Sequence, residues 1–166
     1  MSGLDQAAFR WAAGHFPSGI VVVTTGGGHA MTVSAFASVS REPPLVLFCA
    51  EKIARFHDAV LAAGAWGVSI LAEDGEKIAR WLATRGRPLD GQLDEIPHHP
   101  GAATGASLLD GALATLECQT YAVYDGGDHS IIVGRVVAVD GPADPQARGP
   151  LIHHAGRYRP LRPAED

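Results

Sequence analysis

The strongest constraint on the fold is a pair of long extended runs, residues 112–124 and 130–140, separated by Asp125-Gly126-Gly127-Asp128. Glycine supplies positive φ and aspartate bonds its own backbone, so these four residues favour a chain reversal. The pair predicts one long antiparallel hairpin. In its second arm Ile131, Val133, Val137 and Val139 share one face by parity, and Ile132, Val136 and Ala138 share the other. Both faces are apolar, so both need cover. A sheet from a chain of 166 residues rarely provides that alone. The hairpin therefore points to a homodimer.

The remaining segments fit around this hairpin. Leu4, Ala8, Trp11, Ala12 and Phe16 predict a helix over 4–16, ended by Pro17-Ser18-Gly19. A β-branched run over 20–25, then Gly26-Gly27-Gly28, then Met31-Thr32-Val33 predicts a second hairpin. Glu42-Pro43-Pro44 precedes Leu45-Val46-Leu47-Phe48-Cys49, an unbroken apolar run that predicts a strand covered on both faces. Ile53, Phe56 and Val60 stand at helical spacing, and 67–71 is a short strand. Asp74 is placed to cap a helix burying Ile78, Trp81 and Leu82. Residues 86–111, rich in Gly, Pro, His and Asp, read as a long loop, and the tail after Pro160 is expected to fray. Strands and helices do not alternate strictly, which disfavours a doubly wound sheet. The expected fold is mainly β with peripheral helices, a closed or split antiparallel barrel.

Composition removes several function classes. A net charge of -5 argues against a nucleic-acid surface. No apolar run approaches the roughly 18 residues of a membrane helix, and the N-terminal stretch lacks a signal-peptide pattern, so the reading is cytoplasmic. Cys49 and Cys118 sit in apolar, strand-like runs and read as buried thiols. No GxGxxG opens a helix, no HExxH, GxSxG or EF-hand pattern occurs, and Gly26-Gly27-Gly28 lacks the Lys-Ser/Thr of a phosphate loop. The pairs His98-His99 and His153-His154 would point to opposite faces of an extended chain, so no metal site is expected.

Three segments could carry chemistry, each with an ordinary structural alternative. Residues 31–40 line small hydroxyls along an extended chain. That suits a half-exposed strand edge, or the edge of a flat polar heterocycle. Glu51-Lys52-Ile53-Ala54-Arg55 opens a predicted helix, which is either simply solvated or a phosphate receptor. Asp128-His129 puts an imidazole at the mouth of the long hairpin, as many turns do.

Five stretches occur in order: Phe16-Pro17-Ser18-Gly19 leading into 20–25; Met31-Thr32-Val33-Ser34 within 31–40; Glu42-Pro43-Pro44 within 42–49; Gly126-Gly127-Asp128-His129; and Ile152-His153-His154-Ala155-Gly156 within 150–158. Together they resemble the flavin reductase family, the small components of two-component flavin-dependent monooxygenases. The likeness covers about residues 7–159 of what reads as one domain over 1–166. It implies an FMN-binding split β-barrel that works as a homodimer. It also implies an NAD(P)H-dependent enzyme that passes a hydride from NADH, or NADPH, to FMN, with FAD possible. Reduced flavin would then serve a flavin-dependent oxygenase component.

The resemblance also assigns residues. Thr32, Val33, Ser34, Ser38, Val39 and Ser40 would line the isoalloxazine ring. Cys49, Ala50, Glu51, Lys52 and Arg55 would follow the ribityl chain to the phosphate, with Trp81, Leu82 and Ala83 near that end. His129, His153, His154, Ala155, Gly156 and Tyr158 would face the nicotinamide nucleotide. Arg157 or Arg159 could meet a 2′-phosphate. No catalytic acid, base or nucleophile is expected, because the cofactors hold the reactive chemistry and positioning can supply roughly 7–11 kcal/mol. The chain departs from the family at Ala54, where Ser or Thr is common, and at Ala30, where Gly usually precedes Met-Thr. Two other readings use the same residues: a pyridoxamine-phosphate-oxidase-like flavin- or nucleotide-binding barrel without reductase activity, and a structural dimer with no ligand.

Overall fold

In the computed structural model, which describes residues 3–141 and 148–161, the chain forms α1 (Gln6–Gly14), β1 (Ser18–Gly19), β2 (Val21–Thr24), β3 (Ala30–Val33), β4 (Phe36–Arg41) and β5 (Pro44–Glu51). Next come α2 (Arg55–Ala63), β6 (Ala65–Ile70), α3 (Glu76–Ala83), β7 (His98–Pro100) and β8 (Ser107–Leu109). The chain continues through β9 (Ala114–Gly126), β10 (His129–Asp140), β11 (Leu151–His154) and β12 (Arg157–Pro160). The predicted long hairpin is β9–β10, paired from Gly126↔His129 to Thr115↔Asp140 with two register shifts. The expected fraying of the C-terminal tail concerns residues beyond 161, outside the described ones.

Seven antiparallel strands form one sheet in the order β3-β2-β6-β9-β10-β5-β4. Its two edge strands, β3 and β4, are joined by only Ser34 and Ala35. So short a link forces the sheet to curl, and the Cys49 N–H donates to the carbonyl of the linking residue Ala35 at 3.0 Å, extending the β4–β5 ladder by one rung. The result is a barrel split between β3 and β5. Val21, Val23, Phe48, Trp66, Val68, Cys118 and Ile132 fill its interior.

A second apolar cluster lies on the outside of β2. Ile20, Val22, Ala79, Leu82, Leu93, Ile96 and Leu151 pack there, so α3 and β11 cover what the barrel leaves bare. All four residues of β2 are consequently buried. The unbroken run in β5 behaves differently from expectation: Val46, Phe48 and Ala50 are buried, but Leu45, Leu47 and Cys49 are only half covered.

Four other expectations are corrected. The first helix is shorter than 4–16, with Asp5 Oδ1 accepting from the Ala7 N–H at 2.9 Å as its cap. Among the described residues nothing buries its apolar face: Leu4, Phe9, Trp11 and Phe16 are all exposed. Asp74 does not cap α3, whose N-cap is Gly75; its carboxylate bonds Arg148 instead. On α3 itself Leu82 is buried while Trp81 is left partly exposed. Within 86–111, β7 pairs with β8, a ladder too short to leave a periodic signal.

The outer face of the long hairpin is open in the single chain. Along the hairpin as a whole Tyr121, Val123, Tyr124, Val137 and Val139 are exposed, and the register shifts leave Val123 opposite Ile132 and Val139 opposite Leu116 rather than on one face with Tyr121; Arg135 stacks over the Tyr121 ring. No described helix is long and apolar enough to cross a membrane.

Candidate functional site

Edge strand β3 sets the geometry. The His29 carbonyl accepts from the Thr25 N–H across the β2–β3 turn, whereas the Ala30 carbonyl accepts from Arg87 Nη2. Backbone polarity alternates along a strand, so the amide groups of Thr32 fall on the open side with those of Ala30. Side chains pin the strand: Thr32 Oγ1 donates to the Ala79 carbonyl of α3 at 2.8 Å. An unpaired edge with its own donors and acceptors is a ready partner for another polar edge.

A cleft of about 400 Å³ runs along this edge through the split in the barrel. One end is formed by Ser34, Cys49, Glu51 and His129, and the middle by Thr32, Ala54, Arg55, Leu82 and Ala83. At the other end stand His29, Arg87 and Gln92. Thr32, Val33, Ser34, Cys49, Glu51, Arg55, Leu82, Ala83 and His129 therefore meet at one place, although they come from five elements and span 98 positions, 129 less 32 plus one.

The other assigned residues lie elsewhere. Ser38, Val39 and Ser40 sit on β4, where they face Val46 and Leu45 around a bulge and do not line the cleft. The Ala50 side chain points into the barrel core. Lys52 turns its ammonium to Asp125, and Trp81 turns its indole to the Gln92 carbonyl at 2.9 Å. His153, His154, Ala155, Gly156 and Tyr158 belong to a separate three-stranded sheet, β1-β11-β12. They approach the cleft only through α3, whose Arg80 stacks over Tyr158 at 5.0 Å. Burial pushes the Tyr158 hydroxyl above its usual range, with Arg80 opposing. The Ala155 N–H donates to the Gly14 carbonyl, tying this hairpin to α1.

His129 lies directly across from Glu51 in the β10–β5 ladder. Its Nδ1 is 2.7 Å from Asp128 Oδ1, which holds the ring in place and keeps the Asp128 carboxyl below its ordinary range. Burial raises the Cys49 thiol, so at neutral pH it contributes a small neutral surface to the cleft wall.

Three arginines converge here, of which the sequence reading named one. Each nitrogen of the Arg87 guanidinium has a partner: Nε reaches Gln92 Oε1, Nη1 the Thr84 carbonyl and Nη2 the Ala30 carbonyl. It clamps the 84–92 loop to the edge strand. Burial lowers its pKa first, and the neighbouring Arg55 charge lowers it further. Arg55 Nη2 donates to the Arg87 carbonyl at 2.5 Å, and Arg85 Nη2 contacts both Glu51 oxygens at 2.8 and 2.9 Å. Guanidinium groups stay protonated at neutral pH, so crowding them favours an anion. The only signal for Arg85 and Arg87 was a pair of arginines flanking Gly86 just beyond a helix.

The α2 N-cap is Ala54, in extended geometry and with no side-chain hydrogen bond to the helix start. A hydroxyl is missing where Ser or Thr was expected from the resemblance.

The donor set suits a flavin nucleotide: an amide-rich edge at one end and excess positive charge further along. Comparison with known proteins agrees. The flavin reductase like domain model matches residues 13–162. The NADH-dependent FAD reductase of Streptomyces globisporus is 40% identical over 167 residues, covering 98% of this chain and 89% of that protein. The reductase component of 4-hydroxyphenylacetate 3-monooxygenase from Thermus thermophilus is 37% identical, covering 94% and 97%. The structure of a Streptomyces globisporus NADH:FAD oxidoreductase in complex with NAD and FAD fragments superposes with a TM-score of 0.90 at 38% identity, covering 98% and 96%.

Proposed function

The chain belongs to the flavin reductase-like domain family and is an NADH-dependent flavin reductase; on that premise we propose that the cleft beside β3 is where the flavin binds. The observation that carries this is the joining, in one cleft, of a free strand edge to a cluster of arginines. Thr32, Val33 and Ser34 with Cys49 and Glu51 suit the ring and ribityl chain, and Arg55 suits the first phosphate. FMN is a sufficient ligand for those contacts, and FAD is accepted.

When bound, the flavin supplies the redox chemistry by taking a hydride from the nicotinamide. The protein's part is positional. The Thr32 amide group provides fixed polarity at the ring edge, aimed without reorganisation. His129, oriented by Asp128, stands where it can contact the nicotinamide nucleotide. No acid or base is required of the chain, and a cleft flanked by the exposed Ile53 leaves the flavin free to exchange with a partner oxygenase component.

A second copy of the chain completes the assembly. Tyr121, Val123, Tyr124, Val137 and Val139 leave much apolar surface exposed along the long hairpin, which supports a homodimer. The 153–158 hairpin then contributes to the nicotinamide side in that dimer. We place the protein in the cytoplasm, where Cys49 and Cys118 persist as thiols.

The test is anaerobic mixing of the purified protein with NADH and FMN while following the nicotinamide absorbance. Consumption of NADH that depends on added flavin is expected. Arg55→Ala should raise the flavin KM by at least about tenfold, the cost of one charge-assisted hydrogen bond, with the NADH KM unchanged. An unchanged flavin KM would remove the phosphate from this cleft.

A further inference from the structure

His57 does not line the cleft, yet its imidazole is buried and fully partnered. Nδ1 lies 2.9 Å from Asp58 Oδ1, and Nε2 lies 2.9 Å from Ser130 Oγ. A carboxylate only accepts, so in the neutral ring Nδ1 carries the hydrogen and Nε2 accepts from the Ser130 hydroxyl. Aspartate, histidine and serine in that order have the connectivity of a nucleophile relay, but Ser130 is 6% exposed, too enclosed for a substrate to reach. The bond instead joins two elements. Ser130 belongs to β10, which is fixed by ladders to β5 on one side and β9 on the other. His57 belongs to α2, which is held less firmly. The far end of α2 is tied by the Thr120 N–H donating to the Gly64 carbonyl at 2.9 Å, but its start has no side-chain cap. Phe56 and Val60 pack it on the barrel core, and apolar packing is non-directional. Among the described residues, only His57 and Arg55 join an α2 side chain to another element by a hydrogen bond.

We propose that His57 is a positioning residue for the flavin phosphate: its bond to Ser130 fixes the rotation of α2 on the barrel and so aims Arg55 into the cleft. This rests on the placement of the phosphate at Arg55 above and extends it. Arg55 and His57 are two residues apart, about 200° around the helix, so one faces the cleft while the other faces the sheet. Whatever turns the one turns the other. A rotation of about 20° carries a Cα on a cylinder of radius about 2.3 Å by about 0.8 Å, and the end of a long side chain by more. Misplacement of that size weakens a directional, charge-assisted hydrogen bond. The ring contacts are spared, because they come from β3 and β5. His129, one residue before Ser130, is spared as well, because β10 stays in its ladders. The role of His57 is therefore confined to flavins that carry a phosphate.

The experiment measures Kd for riboflavin and FMN by quenching of flavin fluorescence. The proteins are wild type, His57→Phe, His57→Gln, Ser130→Ala, Arg55→Ala, and His57→Phe combined with Arg55→Ala. Thermal melting checks that each folds. His57→Phe should weaken FMN by about fivefold, a fraction of the charge-assisted contact at Arg55, and leave riboflavin within about twofold. Ser130→Ala changes little volume and should do the same; it carries the test if His57→Phe does not fold. His57→Gln places an amide where Nε2 stands and should recover most of the loss. In the Arg55→Ala background His57→Phe should cost FMN nothing further, since no guanidinium is left to aim. Equal weakening of riboflavin and FMN, unchanged FMN binding, or the same loss with and without Arg55 would overturn the role while leaving the flavin cleft intact. Wild type holding riboflavin as tightly as FMN would instead overturn the phosphate placement on which the role rests.

Discussion

Gly134 should be irreplaceable even by alanine, and the reason can be worked through from its surroundings. A Cβ at this position would lie 2.3 Å from Cζ2 and 2.7 Å from Cη2 of Trp66, and 3.0 Å from Cβ of Cys118. Non-bonded carbons rest about 3.5–4.0 Å apart, so the indole would have to retreat by more than about 1 Å. It has nowhere to go. Trp66 is fully buried, its ring meets Phe48 edge-on at 4.8 Å, and its N–H donates to Thr120 Oγ1 at 3.1 Å. Overpacking of this kind costs about 1–3 kcal/mol, and loss of the indole hydrogen bond adds about 1. The sum, about 2–4 kcal/mol, corresponds to a fall in Tm of about 5–15 °C for a domain of this size. Calorimetry at matched protein concentration would measure it, because the proposed dimer would make Tm concentration-dependent. The sharper form is a double-mutant cycle. Trp66→Phe removes the clashing atoms, so Gly134→Ala should cost far less in that background than in wild type. Equal costs in the two backgrounds, or an unchanged Tm for the single variant, would refute the steric account.

Three further outcomes follow from the cleft and its supports. His129→Ala should raise the NADH KM by about tenfold with little change in flavin Kd, the loss of one anchored polar contact, and steady-state kinetics with each substrate varied would show it. Ala54→Ser restores a hydroxyl at a helix start that already has N-cap geometry; it should add about 0.5–2 kcal/mol of stability in denaturant unfolding and tighten FMN measurably. Burial, and secondarily the Glu117 charge, push the Cys118 thiol from 9.0 up to about 12. The folded chain keeps a proton that the unfolded chain releases, so this group's stabilisation is whole below pH 9 and declines as pH rises towards 12, by about 1.4 kcal/mol per pH unit. Stability curves of wild type and Cys118→Ala should therefore diverge in slope over that interval, and parallel curves would contradict it.

What the sequence made legible was whatever repeats locally. The β9–β10 hairpin, the β2–β3 hairpin and the helical spacing of Phe56 and Val60 all follow from periods of two or 3.6 and from turn residues. That Thr32, Ser34, Cys49, Arg55 and His129 share one cleft was legible only through the likeness of ordered segments to a family, because they come from separate elements that no period links. Arg85 and Arg87 were not legible by either route. Their role depends on a loop that returns to β3, held by Trp81, Arg87 and Gln92, and no local pattern encodes that return. Asp74 failed as a cap for a similar reason: Arg148, 74 residues away, competes for its carboxylate. Of the apolar stripe read over 4–16, Leu4 and Phe16 fall outside α1, and no described residue covers the rest.

A split barrel normally carries a liability, since an unpaired strand edge invites pairing with another chain. In β3 only part of that edge is taken. Arg87 takes the Ala30 carbonyl, α3 takes the Thr32 hydroxyl, and the 84–92 loop, fastened by Gln92 to the Gly28 carbonyl, blocks the approach of a strand. What stays open is the backbone amide group of Thr32, suited to a flat ring bearing its own donors and acceptors. The same hydrogen bonds that protect the edge from aggregation therefore also set its selectivity for a planar heterocycle. On this view, Arg87→Ala would weaken flavin binding chiefly by loosening the loop, because the Arg87 nitrogens are spent on Gln92, Thr84 and Ala30 and the edge would lose its shape with them.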